Sequence, residues 1–232
     1  MMPRDALLTG VLAAGAAHAL PGAAAVLPAL RRPLGIDSTT ASGEGVALTF
    51  DDGPHPRGTP AILEELARHG VRATFFLVGE QVDRDPALAA EVAAAGHAIA
   101  VHCDRHRNLL RLSPGTVRND LNRAAERIGA ATGAPLSLYR PPYGVFSGAA
   151  LREARRRDWR PLLWTAWGRD WEARATPDSI TRCVTHGLGA GSVLLLHDAD
   201  DYSSRGSWRR TLAALPRVIE AIAAAGLEVS DP

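Results

Sequence analysis

The sequence predicts an α/β fold in which helices cover a mainly parallel sheet or barrel. Two observations lead to this prediction. From residue 46 onward, segments rich in strand formers alternate with amphipathic helical segments, which is typical of repeated βα units. The chain has 232 residues, 46% of them hydrophobic, so it can bury one sizeable core. We therefore expect one catalytic-sized domain at residues 46–232, preceded by a separate N-terminal segment at residues 1–45.

Local signals predict the individual elements. Asp85-Pro86 and Ser113-Pro114 are typical helix starts, because a capping side chain precedes a proline that suits the first helical turn. The predicted strands are residues 46–50, 73–78, 99–101, a strand ending at 139, 161–165, 192–196 and 227–230. The predicted helices start at Thr59, Asp85, Ser113, Ser147, Thr176 and Thr211 and end near Gly70, Gly96, Gly133, Arg157, Val184 and Ala225.

The N-terminal segment carries no charged residue from Ala6 to Leu30, and as a helix it would extend roughly 37 Å, enough to cross a membrane core. It is mostly alanine and glycine, however, and Pro21 and Pro28 would interrupt a straight helix. Two alternatives stay open. We place an uncleaved anchor or membrane association through residues 6–30 first, and a secretory signal with a cleavage pattern at residues 17–19 second. The expected localisation is accordingly the membrane or cell envelope, with secretion as the alternative. Residues 36–45 are predicted as a linker.

Charge and cysteine content exclude some classes of protein. The formal net charge is +1 and all positive side chains are arginine, which gives no reason to expect nucleic acid as a partner. Two cysteines, Cys103 and Cys183, are too few for a disulfide framework and lack zinc-finger spacing. Composition does not predict the oligomeric state.

Polar side chains follow the predicted strands at their C-terminal ends, where the loops of α/β folds carry active sites. They are Asp51 and Asp52 after the first strand, His102 and His106 after the third, Arg140 after the fourth, Asp170 after the fifth and His197 after the sixth. Seven polar residues at equivalent strand ends are hard to explain by packing alone.

The spacing of the two histidines predicts a metal site. His102 and His106 are four residues apart, so one helical turn would bring both imidazoles to one side, where they could bind a divalent metal. A carboxylate from another loop could complete the site, and Asp51 or Asp52 could supply it. Because successive side chains at a strand end point in opposite directions, the two aspartates are expected to serve different centres.

Five motifs in order resemble those of the polysaccharide deacetylases of the NodB-homology type, also called carbohydrate esterase family 4. They are TFDDGP at residues 49–54, HCDRH at 102–106, RPPYG at 140–144, RDW at 169–171 and LLH at 195–197. The joint match is far more specific than any one motif. The resemblance covers roughly residues 46–230 and implies a distorted (β/α) barrel of about seven parallel strands with outer helices.

The resemblance also implies a reaction, the hydrolysis of N-acetyl groups on a polysaccharide or glycan, with O-acetyl groups as the second choice. It implies Asp52, His102 and His106 as ligands of a divalent metal, Zn²⁺ first, with Co²⁺, Mn²⁺ or Fe²⁺ as alternatives. Asp51 would be the general base, and Arg140 would orient it.

The last three motifs supply the remaining roles that the resemblance implies. His197 would be the general acid, tuned by Asp170, and the Tyr143 backbone N–H would help to bind the oxyanion. Substrate contacts would come from Pro141, Tyr143, Trp171 and Leu195. Trp164 and Trp167 could stack on sugar faces or belong to the core.

The sequence departs from the family pattern just before His102, where Ala98, Ala100 and Val101 replace a glutamate and two small or polar residues. These changes are expected to make the rim of the site more apolar. Two other functions stay open: a related hydrolase of a cyclic amide or ureide, and a non-catalytic glycan-binding module. The presence of all predicted ligands, base and acid argues against the second.

Overall fold

The structure is a computed structural model that describes residues 15–232. Within this part of the chain seven strands form one sheet, and every neighbouring pair in it is parallel. The strands are β1 (Val46–Asp51), β2 (Thr74–Leu77), β3 (Ala98–Val101), β4 (Leu138–Tyr139), β5 (Arg160–Pro161), β6 (Ala166–Trp167) and β7 (Ser192–His197). Their order across the sheet is β5-β4-β3-β2-β1-β7-β6. The predicted α/β fold with about seven parallel strands is confirmed, and the sheet curls into a half-barrel.

Helices connect the strands and cover the sheet. They are α1 (Arg31–Leu34), α2 (Gly58–Arg68), α3 (Gly79–Arg84), α4 (Pro86–Ala94), α5 (Pro114–Thr132), α6 (Gly148–Arg156), α7 (Pro177–Val184) and α8 (Ser207–Ala224). The predicted caps form: the side chains of Asp85, Ser113, Ser147 and Thr176 each accept a hydrogen bond from a backbone N–H of the first turn. In these four helices the polar residue before the first turn therefore defines where the helix begins.

The structure differs from the predicted elements in four places. Helix α3 was not predicted. Of the segment predicted as one strand at 161–165, only Pro161 belongs to β5, and β6 begins just after the segment at Ala166. The chain leaves the sheet between them because β5 pairs with β4 at one edge and β6 pairs with β7 at the other. Helix α8 starts at Ser207 rather than Thr211, because Trp208 is buried on the same face as Thr211 and Leu215. Residues 227–230 form no strand, only a single bridge between Val46 and Val229.

The two faces of the sheet bury different sets of side chains. The outer face packs against the helices and includes Val46, Leu48, Phe50, Phe75, Leu77, Ile99, Val101, Leu194 and Leu196. The inner face carries a smaller apolar cluster made of Ala47, Phe76, Ala100, Leu138, Leu162 and Val193. Because strand side chains alternate between faces, the same alternation carries Asp51, His102 and His197 to the inner face at the C-terminal edge.

The described part of the N-terminal segment packs against the domain. Ala24 and Ile36 are buried. Asp37 and Thr39 form single β-bridges with Leu162 and Ser192, so residues 36–45 follow the sheet instead of extending freely as a linker. Within residues 15–232 we find no helix with the length and apolarity needed for a membrane span. The predicted domain boundary at residue 45 stays a prediction, and residues 6–14 of the predicted anchor lie outside the described residues.

Candidate active site

The register of the sheet brings the predicted base and acid together. In the parallel pairing of β1 with β7, Asp51 lies opposite His197. Strands β3 and β4 end at the same edge, and His102 and Arg140 are the residues that follow them. A register shift of one residue would turn these side chains to the outer face, so the apolar packing of the strands determines which side chains meet.

Asp51 is held by a fully buried arginine. Arg140 Nη1 donates to Asp51 Oδ1 at 2.6 Å and to Thr49 Oγ1 at 3.0 Å. The other guanidinium nitrogens donate to the carbonyl oxygens of Leu162 and Leu163 at 3.1 and 3.0 Å. These bonds fix the guanidinium, so that one Asp51 oxygen is bound and Oδ2 is left for another partner.

A three-residue cluster lies beside Asp51. His102 Nε2 and His106 Nε2 are each 3.4 Å from Asp52 Oδ1. Asp52 Oδ1 is buried and has no hydrogen-bond partner among the described residues. His102 Nδ1 lies 2.8 Å from the Arg140 carbonyl oxygen, to which it donates, so that Nε2 presents its lone pair to the cluster. The ligand atoms of the three residues all lie within 4.8 Å of one another.

The protonation of this cluster suits a divalent cation. Burial disfavours the charge of Asp52, but contact with His102 and the positive charge of His197 outweigh it and lower the pKa of Asp52 to about 2. Burial lowers the pKa of His106 to about 4. At neutral pH the cluster thus offers an ionised carboxylate and a neutral imidazole, and its orphaned carboxylate oxygen fits a bound cation.

Asp52 reaches the cluster through an unusual backbone conformation. Simple strand alternation would turn it away from Asp51, yet both aspartates line the same pocket. The reason is that Asp52 has φ 83°, a left-handed conformation that Asp tolerates better than most residues. The expectation of opposite directions was therefore wrong, although the two carboxylates do contact different groups: Asp51 contacts Arg140, and Asp52 contacts the histidines.

His197 is paired with a buried carboxylate. Asp170 Oδ1 accepts from His197 Nδ1 at 2.8 Å, and Oδ2 accepts from the His197 backbone N–H and from Thr211 Oγ1, both at 2.7 Å. Burial opposes the charged imidazole, but the negative charge and hydrogen bond of Asp170 prevail and raise the pKa of His197 to about 10. His197 is therefore protonated at neutral pH, with Nε2 as its free ring nitrogen.

These side chains surround one pocket with a volume of about 320 Å³. Asp51, Asp52, His102, His106 and His197 form its floor, and the walls include Tyr143, Trp164, Trp167, Trp171 and Leu195. The three tryptophans contact each other in series, with ring centroids 5.6 and 5.4 Å apart, and Trp171 lies edge-on to His197. Trp167 and Tyr143 are exposed at the rim, with 44% and 59% of their surface accessible.

Most predicted site residues therefore line the pocket, but three lie behind it. Arg140 and Asp170 are fully buried and act on the pocket through Asp51 and His197. Pro141 is buried and is not among the residues that line the pocket, and its contact with substrate stays a prediction. Tyr143 has φ 61° in the first turn of a 3-10 helix (Pro142–Gly144), where backbone N–H groups have no partner within the helix.

Three residues of the site and its surroundings were not predicted from the sequence. Tyr202 and Ser203 line the pocket from the loop between β7 and α8, and Thr211 supports Asp170 from α8. Tyr202 and Ser203 belong to no motif, and their only signal was their position on the loop that follows a strand. Thr211 could not be found from the sequence, because its contact depends on how α8 packs.

The residues that depart from the family pattern lie elsewhere than expected. Ala100 and Val101 are buried in β3, one on each face of the sheet, and Ala98 begins this strand. Ala100 and Val101 fill the core, and the half-buried Ala98 lies at the end of β3 away from the pocket, so the expectation of a more apolar rim was wrong. Cys103 is also buried, 3.6 Å from the Tyr139 hydroxyl, and burial raises the pKa of its thiol.

A second group of candidate metal ligands, His55, Asp200 and Asp201, has a different character. His55 Nδ1 accepts a hydrogen bond from the Gly58 backbone N–H at 2.8 Å. The ring proton is then on Nε2, which lies 3.1 Å from Asp200 Oδ1 and donates to it. Both ring nitrogens of His55 already have hydrogen-bond partners, so neither is free to bind a metal. The group instead connects two loops.

Comparison with known proteins gives one consistent result. Residues 38–161 match the family model described as polysaccharide deacetylase. A chitooligosaccharide deacetylase of Bradyrhizobium sp. (strain ANU 289) is 35% identical over 211 residues, which are 87% of this chain and 93% of that protein. The chain belongs to the polysaccharide deacetylase family. The predicted family is confirmed, and with it the prediction of a hydrolase acting on carbon–nitrogen bonds other than peptide bonds.

Two further relatives of this polysaccharide deacetylase are named for peptidoglycan. A peptidoglycan-N-acetylglucosamine deacetylase of Bacillus cereus is 35% identical over 162 residues, covering 70% of this chain and 58% of that protein. The crystal structure of a peptidoglycan N-acetylglucosamine deacetylase superimposes with a TM-score of 0.77 at 31% identity, covering 84% of this chain and 89% of that one. The common fold therefore extends over most of the chain.

Proposed function

We propose that this protein removes N-acetyl groups from a glycan built of N-acetylglucosamine, by metal-dependent hydrolysis. The observation that carries the proposal is the placement of Asp51 opposite His197 at the edge of the sheet, with the cluster of Asp52, His102 and His106 in the same pocket. Relatives named as chitooligosaccharide and peptidoglycan deacetylases support this class of substrate.

Asp52, His102 and His106 would hold the metal. A divalent cation bound there would polarise the acyl oxygen and increase the acidity of water. The hydrogen bond from His102 Nδ1 to the Arg140 carbonyl keeps the Nε2 lone pair directed at the cluster. Mixed nitrogen and oxygen ligands suit Zn²⁺ first and admit Co²⁺, Mn²⁺ or Fe²⁺.

Asp51 is the group best placed to take a proton from the attacking water. Arg140 occupies Oδ1, so the proton would go to Oδ2. The same ion pair prevents the carboxylate from rotating away. Asp51 and Asp52 can thus be neighbours without sharing one task, because each has its own positive or ligand-binding partners.

The remaining predicted groups would act on the leaving amine and on the oxyanion. His197 is held protonated by Asp170, and its Nε2 would give a proton to the departing sugar nitrogen. The Tyr143 N–H would donate to the oxygen on which negative charge develops. Trp171 and Leu195 line the pocket next to His197, where an acetyl methyl would be shielded from water.

Chelation tests the proposal directly. We expect a protein stripped of metal to lose deacetylation of N-acetylglucosamine oligomers, and Zn²⁺ or Co²⁺ to restore it. Acetate release should be measured on chitin and peptidoglycan oligosaccharides, with a panel of cyclic amides and ureides in parallel. Activity on the cyclic amides alone would reassign the substrate, and binding of the oligomers without any turnover at full metal loading would favour a glycan-binding module. Full activity in a preparation shown to be metal-free would disprove the mechanism.

We also propose that the N-terminal segment associates with a membrane. Leu20, Val26 and Leu27 leave 53%, 77% and 53% of their surfaces exposed. The segment lies beside the pocket, since Arg31 Nη1 donates to the carbonyl of Trp164 at 3.3 Å. An added Cβ on Gly22 would lie 3.3 Å from Val145 Cγ1, so the backbone of the N-terminal segment also packs closely against Val145. Contact of this segment with lipid would place the pocket near the membrane surface.

Vesicle binding tests this second proposal. Changing Leu20, Val26 and Leu27 together to glutamine should reduce the vesicle-bound fraction at least about tenfold, because a fully buried apolar side chain contributes about 1.5–3 kcal/mol. The control changes Ala223, Ala224 and Ala225, which are exposed at the C-terminal end of α8, to glutamine. Cosedimentation with liposomes measures the effect. Equal binding by both triple variants, or none by the unmodified protein, would contradict the proposal.

A further inference from the structure

The two histidines of the proposed metal site, His102 and His106, are held in place by different contacts. His102 donates its second ring proton to the Arg140 carbonyl oxygen, at an Nδ1 to O distance of 2.8 Å. His106 Nδ1 is buried and has no hydrogen-bond partner among residues 15–232. A metal-binding histidine usually needs such a bond to fix its ring orientation. Something else has to hold the ring of His106.

Aromatic packing provides that support. The ring of Tyr202 stacks on His106 with centroids 4.2 Å apart and an interplanar angle of 11°. Tyr143 contacts the imidazole edge-on at 4.6 Å. Of these two rings, Tyr202 is the one parallel to His106, so tilting the imidazole out of its plane would force the two rings together.

Tyr202 is itself fixed at its hydroxyl. The hydroxyl donates to Glu80 Oε1 at 2.8 Å and accepts from Gln81 Nε2 at 3.0 Å. Both partners lie on the first turn of α3, whose backbone also binds the loop that carries His106. The Gly79 and Glu80 N–H groups donate to the carbonyls of Cys103 and Asp104 at 2.9 and 2.8 Å. Helix α3 thus fixes the phenol ring of Tyr202 and the loop that carries His106 relative to each other.

We propose that Tyr202 is a positioning residue for the metal ligand His106. The stacked ring of Tyr202 orients the imidazole in place of a hydrogen bond from His106 Nδ1. The inference rests on the proposed metal site. It follows that metal affinity depends on the loop between β7 and α8, the loop that begins just after His197. The hydroxyl contributes indirectly, by fixing the phenol against α3.

Metal affinity measured without substrate tests this inference. We expect Tyr202→Ala to weaken Zn²⁺ binding by about 10- to 100-fold, the usual effect of losing an outer support of a metal ligand. Tyr202→Phe keeps the stacked ring and should remain within a few-fold of the unmodified protein. Trp167→Ala is the matched control, because it removes a large aromatic side chain from the same pocket without contacting His106. Competition with a chromophoric chelator gives the Kd, and the visible absorption of the Co²⁺ form reports ligand geometry.

The outcomes separate this inference from the proposed function. An unmodified protein that binds neither Zn²⁺ nor Co²⁺ would refute the metal site itself. An unmodified protein that binds metal, together with a Tyr202→Ala variant of equal Kd and identical Co²⁺ spectrum, would overturn the role of Tyr202 alone. If Tyr202→Ala does not fold, as judged by circular dichroism, Tyr202→Leu provides the same comparison because it fills the space without a ring.

Discussion

Asp51→Asn should lower the deacetylation rate by about 10²- to 10⁴-fold and leave the bound metal nearly stoichiometric. The amide cannot accept a proton from water, but it has nearly the same shape and can still accept the hydrogen bond from Arg140 Nη1. The three proposed metal ligands are unchanged by this substitution. Rate and metal content should be measured on the same preparation, at saturating substrate.

Asp52→Asn is the matched control for this prediction. It replaces the charged ligand of the cluster by a neutral one, so metal affinity should fall together with the rate, and excess metal should recover part of the activity. If both variants lose metal to the same extent, the adjacent carboxylates share one centre and Asp51 is not a separate base.

Arg140→Met should destabilise the protein by about 3–5 kcal/mol, because it leaves the buried Asp51 carboxylate without its partner. Both side chains are almost completely buried, and Arg140 also donates to Thr49 Oγ1 and to the carbonyl oxygens of Leu162 and Leu163. The free energy of unfolding, measured with urea at neutral pH with and without Zn²⁺, gives the effect. A loss below about 1 kcal/mol would show that the ion pair is not essential to the fold.

A double-mutant comparison identifies the cause of that destabilisation. Combining Arg140→Met with Asp51→Asn removes the uncompensated charge, so the double variant should be more stable than Arg140→Met alone. If the double variant is instead less stable by the sum of the single effects, the loss comes from the hydrogen bonds of Arg140 to Leu162 and Leu163 rather than from the charge on Asp51.

The sequence was sufficient for the order of most elements and for the residues of the pocket floor. Helix caps such as Asp85 and Ser113 can be predicted because the capping side chain binds the backbone of the next turn. Strand residues can be predicted because their side chains alternate between the two faces of the sheet. Asp51, His102 and His197 could be placed together because the C-terminal ends of parallel strands share one edge. Family membership followed from five short motifs in order, which need no knowledge of packing.

How those residues are supported depends on long-range packing. The left-handed conformation of Asp52 turns its carboxylate into the pocket against the alternation of the strand, and no local pattern predicts it. The contacts of Thr211 with Asp170 and of Tyr202 with His106 join residues far apart in the chain. The chemical groups that end each strand could be predicted from the sequence alone, because periodicity and capping act over a few residues. Their partners depend on how helices and loops pack across the sheet, and that is a long-range property.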